Sequence, residues 1–251
     1  MSIPLANHFK LSNAQCLKTD DEMKDTSKVP YASILRCLMY DMVRTVPNLA
    51  CAVSVVRKFI SNPGRQHWDA VNWIFKYLRG TIDYGIMFSK QQGNPSVVGY
   101  IDAYYTGDLD DMRSTTSYEF TLVGEPICWE YKVQSLIALS TTESEYMVVV
   151  MAAKEALWLT GLVKRLGIQQ GGVLQLHYDS QSVIYLVKNQ MYHANSKHID
   201  VRFHRIRELV SSSELLLEKV HTSENAADML TKLVTTNKFK NCLNLINVFR
   251  C

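Results

Sequence analysis

Four acidic residues, Asp102, Glu145, Asp179 and Asp228, sit in text that gives a carboxylate little reason to be there. Asp102 ends the apolar run VVGYI, and Asp179 closes LQLHY just ahead of a helical stretch. Asp228 stands in NAADMLTK, flanked by Ala226, Ala227, Met229 and Leu230. Glu145 lies near the head of a long helical pattern, and helical steps from it reach Val149, Ala152, Ala156 and Val163, all apolar or small. It therefore faces inward. Glu143, two residues earlier, cannot share that face. It follows Ser140 by three residues, the spacing of a helix capping box. Taken singly, the aspartates have ordinary roles: a strand end, a helix N-cap at Asp179, a solvated helix position at Asp228. Brought together in a partly desolvated place, four carboxylates repel one another, and a divalent cation is the usual relief. Oxygen ligands favour Mg²⁺ or Mn²⁺ over zinc. Two such ions about 4 Å apart activate a water and stabilise the leaving oxygen in phosphodiester hydrolysis.

The elements that must gather these acids follow from periodicity and punctuation. From Pro30 the text is helical: YASILRCLMYDMV, NLACAVSVVRKFI, then RQHWDAVNWIFKYLRG, which starts after Asn62-Pro63-Gly64 and stops at Gly80. The period then changes to two. YGIMFS, SVVGYIDA, SYEFTLVG and PICWEYKV predict strands, the last two a hairpin across Gly124-Glu125. A helix over 141–166 follows, closed by Gly167, then the strand LQLHY, a helix from 180, the helical stretch SKHIDVRFHRIRELV, the strand LLLEKV and a helix over 225–233. This order predicts a mixed α/β sheet flanked by helices. Residues 1–29 are polar and aperiodic and predict an extended lead-in; 30–92 form a small helical unit, 93–234 the α/β domain and 235–251 a helical tail.

Composition narrows the partners less than the motifs do. The 251 residues are 47% hydrophobic and 20% charged, ordinary for a globular chain, with a net charge of +3 that neither demands nor opposes nucleic acid. The six cysteines form no CxxC pair, which suggests neither a zinc site nor a disulfide framework and fits a reducing compartment. No uninterrupted apolar run approaches the roughly 18 residues of a membrane span, and MSIPLANHFKLS lacks the order of a signal peptide. The expectation is an intracellular protein without a membrane partner, in cytoplasm, virus-like particle or nucleus.

In order along the chain, GYIDAYYTGDLDDMRSTTSYEFTL, ICWEYKVQSLIALSTTESEYMVVVMAAKEALWL, HYDSQSVIYLVKN, SKHIDVRFHRIREL and HTSENAADMLTK resemble the ribonuclease H domain at the end of the Pol polyprotein of copia-type (Pseudoviridae) LTR retrotransposons. VPYASILRCLMYDMVRTVPN and NPGRQHWDAVNWIFKYLRGT resemble the tail of reverse transcriptase, or its connection, in the same polyproteins. The resemblance implies a ribonuclease H-like fold with a five-stranded mixed sheet, and Mg²⁺- or Mn²⁺-dependent cleavage of the RNA strand of an RNA–DNA hybrid by two ions. It makes Asp102, Glu145, Asp179 and Asp228 the catalytic acids and metal ligands. His221 is its candidate for the mobile histidine near the last acid. For the backbone of the hybrid it leaves Arg113, Ser114, Thr115, Lys132, Gln134, Asn189, Lys197 and His198. The polymerase motif Tyr-x-Asp-Asp does not occur in the chain, so the helical unit implies a remnant that works with the rest of a Pol assembly. Tyr104, Met112, Val133 and Asn195 depart from the family pattern, three of them where cations are frequent; fewer phosphate contacts imply weaker binding. The alternative is a catalytically weak or silent relic that folds and at most binds nucleic acid.

Overall fold

The computed structural model describes residues 2–19, 22, 29–88, 95–108, 110–170, 172–188 and 197–250, with the side chains of 188 and 197–203 left out. Helices α1 (Tyr31–Arg44), α2 (Ala50–Arg57) and α3 (Arg65–Gly80) lead to a short strand, β1 (Tyr84–Ile86). Strands β2 (Val97–Tyr104), β3 (Thr115–Leu122) and β4 (Glu125–Val133) then form an antiparallel meander. After α4 (Thr141–Arg165) come β5 (Leu174–Tyr178), α5 (Gln181–Lys188), α6 (Lys197–Ser211) and β6 (Leu215–Lys219). Both β5 and β6 join in parallel, giving the five-stranded order β4-β3-β2-β5-β6. The last elements are α7 (Asp228–Thr231), α8 (Thr236–Leu245) and β7 (Val248–Arg250). This is the mixed α/β sheet that the period changes imply.

Alternation along the strands splits the apolar residues between two faces. On one, Val97 and Ile101 of β2, Phe120 of β3, and Leu174 and Leu176 of β5 meet Val148, Val149, Ala152 and Ala156 of α4, with Val183 of α5 and Ile206 of α6 alongside. Gly99 is required here: a Cβ would stand 2.5 Å from Leu176 Cδ2 and 2.6 Å from Phe120 Cε1. By length and composition α4 is apolar enough to cross a membrane, which a search for uninterrupted runs overlooks; in this fold its apolar side lies on the sheet.

The other face carries a second core. Leu35, Leu38, Val53, Val56, Val71 and Ile74 of the N-terminal helices join Met229 and Leu230 of α7 and Phe239, Cys242 and Leu243 of α8, with Tyr100, Trp129 and Tyr131 packing from the sheet. Trp129 Nε1 donates to the Met42 carbonyl at 2.7 Å. Strand β7 pairs antiparallel with β1, so the end of the chain completes the N-terminal helical layer.

Several boundaries differ from the sequence reading. Within the lead-in, Leu5 and Leu11 are buried in the helical core, and the turn Asn13–Gln15 approaches α3 so closely that a Cβ on Gly64 would stand 1.9 Å from the Gln15 carbonyl oxygen. Ile3, Phe9 and Cys16 pack beside them, so scattered apolar anchors dock otherwise polar text. The hairpin turns one residue early, at Val123-Gly124, because Leu122 pairs with Glu125. Both turn residues have positive φ, 57° and 92°, as a type I′ turn demands. YGIMFS pairs outside the main sheet, and the helical tail ends in a strand; both follow from the β1–β7 pairing.

Candidate metal centre

Parallel pairing of β2 and β5 sets Tyr100 opposite His177. Two residues further along each strand stand Asp102 and Asp179, at the carboxyl ends, where open α/β sheets place their ligands. Helix α7 delivers the third acid. Asn225 Nδ2 donates to the Ile101 carbonyl at 2.9 Å, Ser117 Oγ to the Ala227 carbonyl at 3.0 Å, and the Thr231 hydroxyl to Asp102 Oδ2. Asp102, Asp179 and Asp228 thereby each offer one carboxylate oxygen, and these lie within 4.8 Å of one another. Glu145 comes from α4 and accepts a hydrogen bond from Ser180 Oγ at 2.6 Å. Glu143 stays outside as a cap: its N–H donates to Ser140 Oγ at 3.1 Å and its carboxylate accepts from Leu139 N–H at 2.7 Å.

Burial dominates the electrostatics of the centre. Asp228 is fully buried and Asp102 only 3% exposed. Desolvation raises the pKa of Asp102, opposed by the charge of Lys232 and the Thr231 hydroxyl, with Asp179 pushing it further up. Desolvation likewise raises Glu145; Ser180 opposes this, and the charges of Asp179 and Asp102 add to it. Lys232 Nζ lies 3.4 Å from Asp102 Oδ2 and 3.1 Å from Asp228 Oδ1. Lys238 of α8 forms an ion pair with Asp228 from the other side. Neither lysine, nor Thr231 or Ser180, was selected from sequence. Lys232 had a signal, since it stands four residues after Asp228 on a short helix; Lys238 had none.

The donor set fits a hard divalent cation. It consists of carboxylate oxygens with no thiol or imidazole, and two of its members are held in the folded chain at a desolvation cost. Asp102, Asp179 and Asp228 could hold such an ion; Glu145 is not one of this group of three, and its pKa responds to the charges of Asp179 and Asp102 only after burial and the Ser180 hydrogen bond.

No protein-family model matches the chain. Over 248 residues, 99% of its length, it is 47% identical to the retrovirus-related Pol polyprotein from transposon TNT 1-94 of Nicotiana tabacum. Over 247 residues it is 33% identical to the Pol polyprotein from transposon RE2 of Arabidopsis thaliana. The chain belongs to the copia-type retrotransposon Pol polyproteins. It spans 18% of the tobacco relative and 17% of the Arabidopsis one. Among solved structures, LC11-RNase H1 in complex with RNA/DNA hybrid is similar over 54% of this Pol segment and 93% of that chain, at 13% identity and a TM-score of 0.39.

The remaining site candidates of this Pol segment separate by burial. Lys132 is exposed and Arg113 half-buried. Ser114, Thr115 and Gln134, expected at a phosphate backbone, are buried instead. Ser114 Oγ accepts from Thr106 N–H at 3.2 Å. Gln134 Nε2 donates to Thr116 Oγ1 at 2.8 Å and to the Ser144 carbonyl at 2.9 Å, tying β3 to the first turn of α4. These side chains serve the fold because β3 is flanked on both sides by strands and covered on both faces. Asn189 lies outside the described residues, as do the side chains of Lys197 and His198. His221 is exposed and caps the turn Thr222–Glu224, accepting from Ser223 N–H at 3.2 Å. Its neighbour Thr222 donates to Asp179 Oδ2 at 3.1 Å, which brings the turn, though not the imidazole, to the acids. Of the departures, Tyr104 and Met112 are exposed, and at Met112 an apolar side chain stands on the surface where the resemblance expects a cation.

Proposed function

We propose that this chain is a ribonuclease H-type hydrolase that cleaves the RNA strand of RNA–DNA hybrids with two Mg²⁺ or Mn²⁺ ions held by Asp102, Glu145, Asp179 and Asp228. The observation that carries the reading is the convergence of three aspartates from β2, the end of β5 and α7 to within 4.8 Å. When bound, paired divalent ions supply an activated water and neutralise the charge that develops on the leaving oxygen. The chain's own residues do the rest. Thr231 and Ser180 aim the oxygens of Asp102 and Glu145, and burial of Asp102 and Asp228 strengthens every electrostatic interaction inside the centre. Of the cations expected at the hybrid's backbone, Arg113 and Lys132 are the two whose side chains are described, and other parts of a Pol assembly are the proposed protein partners.

A second reading, a chain that folds and binds nucleic acid without cleaving it, is favoured by the ion pairs of Lys232 and Lys238, which neutralise Asp102 and Asp228 from within the fold. One assay separates the two. Wild type is expected to cut a labelled RNA–DNA hybrid in Mg²⁺ or Mn²⁺, and Asp102→Asn to lose that activity while keeping its circular dichroism spectrum. Equal inertness of both proteins across both metals removes the enzyme reading and leaves the binding one.

A further inference from the structure

Two buried carboxylates on separate elements, Asp102 of β2 and Asp228 of α7, share one ammonium group. We propose that Lys232 is the centre's own cation, bridging these two acids so that a divalent ion binds only by displacing it. The inference rests on the metal-site reading above and deepens it by assigning what sets the ion affinity.

The geometry supplies three arguments. First, an ion that joins Asp102 to Asp228 must sit about 2 Å from their oxygens, and Lys232 Nζ already lies 3.1 and 3.4 Å from one oxygen of each. The two positive charges compete for the same lone pairs. Second, the lysine has somewhere to go. Its side chain is 31% exposed, and a flexible four-carbon stem can carry the head to water while the stem stays packed. Third, the acids do not depend on Lys232 alone for their positions. Thr231 still donates to Asp102, and Lys238 still pairs with Asp228, so neutralising Lys232 changes the charge of the centre more than its shape. Lys238 touches only Asp228 among the three clustered aspartates, which makes it a supporting cation rather than a competitor for the bridging position.

The test is a Mn²⁺ titration of the full chain, read from the electron paramagnetic resonance of the free ion, on wild type, Lys232→Gln and Lys232→Arg, with melting curves in chelator. Lys232→Gln is expected to bind Mn²⁺ at least ten-fold tighter than wild type, to melt earlier in chelator and to recover that difference at saturating Mn²⁺. Lys232→Arg, which keeps the charge, is expected to bind within about two-fold of wild type. Affinity unchanged or weaker in a folded Lys232→Gln, with wild type binding normally, overturns this proposal alone; absence of saturable binding in both proteins overturns it together with the metal site. A wild-type measurement guards against a variant that does not fold. In a chain labelled with ¹⁵N at lysine, the slowly exchanging ammonium signal of Lys232 is expected to vanish as Mg²⁺ saturates the centre, and its persistence overturns the displacement.

Discussion

Glu119 offers the sharpest test of how burial governs this fold. It lies on β3, paired with Tyr100 of β2 and Trp129 of β4, on the face covered by α7 and α8. It is fully buried, and among the described residues neither carboxylate oxygen has a hydrogen-bond partner. Among its neighbours are a phenol and two thiols: burial raises the pKa values of Tyr100, Cys128 and Cys242, and the charge of Glu119 adds to each. Burial pushes its own pKa to about 8 from an ordinary 4.5. The folded chain thus holds a proton that the unfolded chain releases, and stability present below about pH 4.5 is lost as pH rises to about 8, then levels off. At 1.36 kcal/mol per unit the full difference is about 5 kcal/mol. Glu119→Gln removes the titration and keeps the shape. Urea unfolding of both proteins from about pH 4 to about pH 9 should give similar stabilities at the acid end and a variant more stable by about 5 kcal/mol at the alkaline end. Taking the difference cancels the other raised acids, Asp102 and Glu145. Parallel curves would show that Glu119 is ionised in the folded chain, and the burial argument would fail.

Two further outcomes test the centre and its support. Glu145→Gln should abolish hybrid cleavage as Asp102→Asn does, whereas Glu143→Gln should leave cleavage intact and cost about 1 kcal/mol or less in urea unfolding, the value of a weakened cap; equal catalytic loss from both would mean that the inward face of α4 was misjudged. Lys58, just past α2, pairs with the buried Asp108 of the loop after β2, which also accepts the N–H groups of Asp110 and Asp111 at 3.1 and 3.4 Å. Lys58→Met should therefore destabilise by about 2 kcal/mol, below the range for a fully enclosed pair because the lysine is partly exposed, and pairing it with Asp108→Asn should restore part of the loss. A change under about 0.5 kcal/mol would place the pair among ordinary surface ion pairs.

What could be read from the sequence was what local spacing encodes. The 3.6 period of α4 separated Glu145 from Glu143, and period two marked β2 to β4, because side-chain direction in these elements is set by the backbone itself. Acids in apolar text were visible for the same reason: burial of a charge is anomalous wherever it occurs. Long-range pairing was not visible. That Asp102, near the end of β2, and Asp179, just past β5, come side by side depends on the register of β2 against β5, and no residue within either strand encodes it alone. Polar type misled where the fold encloses it. Ser114, Thr115 and Gln134 looked like surface contacts for phosphate, yet all three are buried where β3 sits between two strands and under two cores, and Ser114 Oγ and Gln134 Nε2 bond to groups inside the protein. The pairing of Asp108 with Lys58 was not visible either, because the two are fifty residues apart in the chain.

The helical unit resembling reverse transcriptase is, physically, part of the centre. Helix α7 is only four residues long, too short to be stable by itself. Met229 and Leu230 enter the core built by α1 to α3 and α8, while Asp228 of the same turn faces Asp102 and the two lysines. One side of the turn is fixed by apolar packing and the other by ion pairs, so the position of the Asp228 carboxylate depends on both. The sheet gives the same result from its other side: Tyr100, Trp129 and Tyr131 pack on that core, and without it their apolar surface would face water at a cost of roughly 25 cal/mol for each Å² exposed. A domain boundary drawn between strands and N-terminal helices therefore cuts through the scaffold that holds one of the four acids, which is why the acids and the helices that precede them by sequence have to be treated as one folded structure.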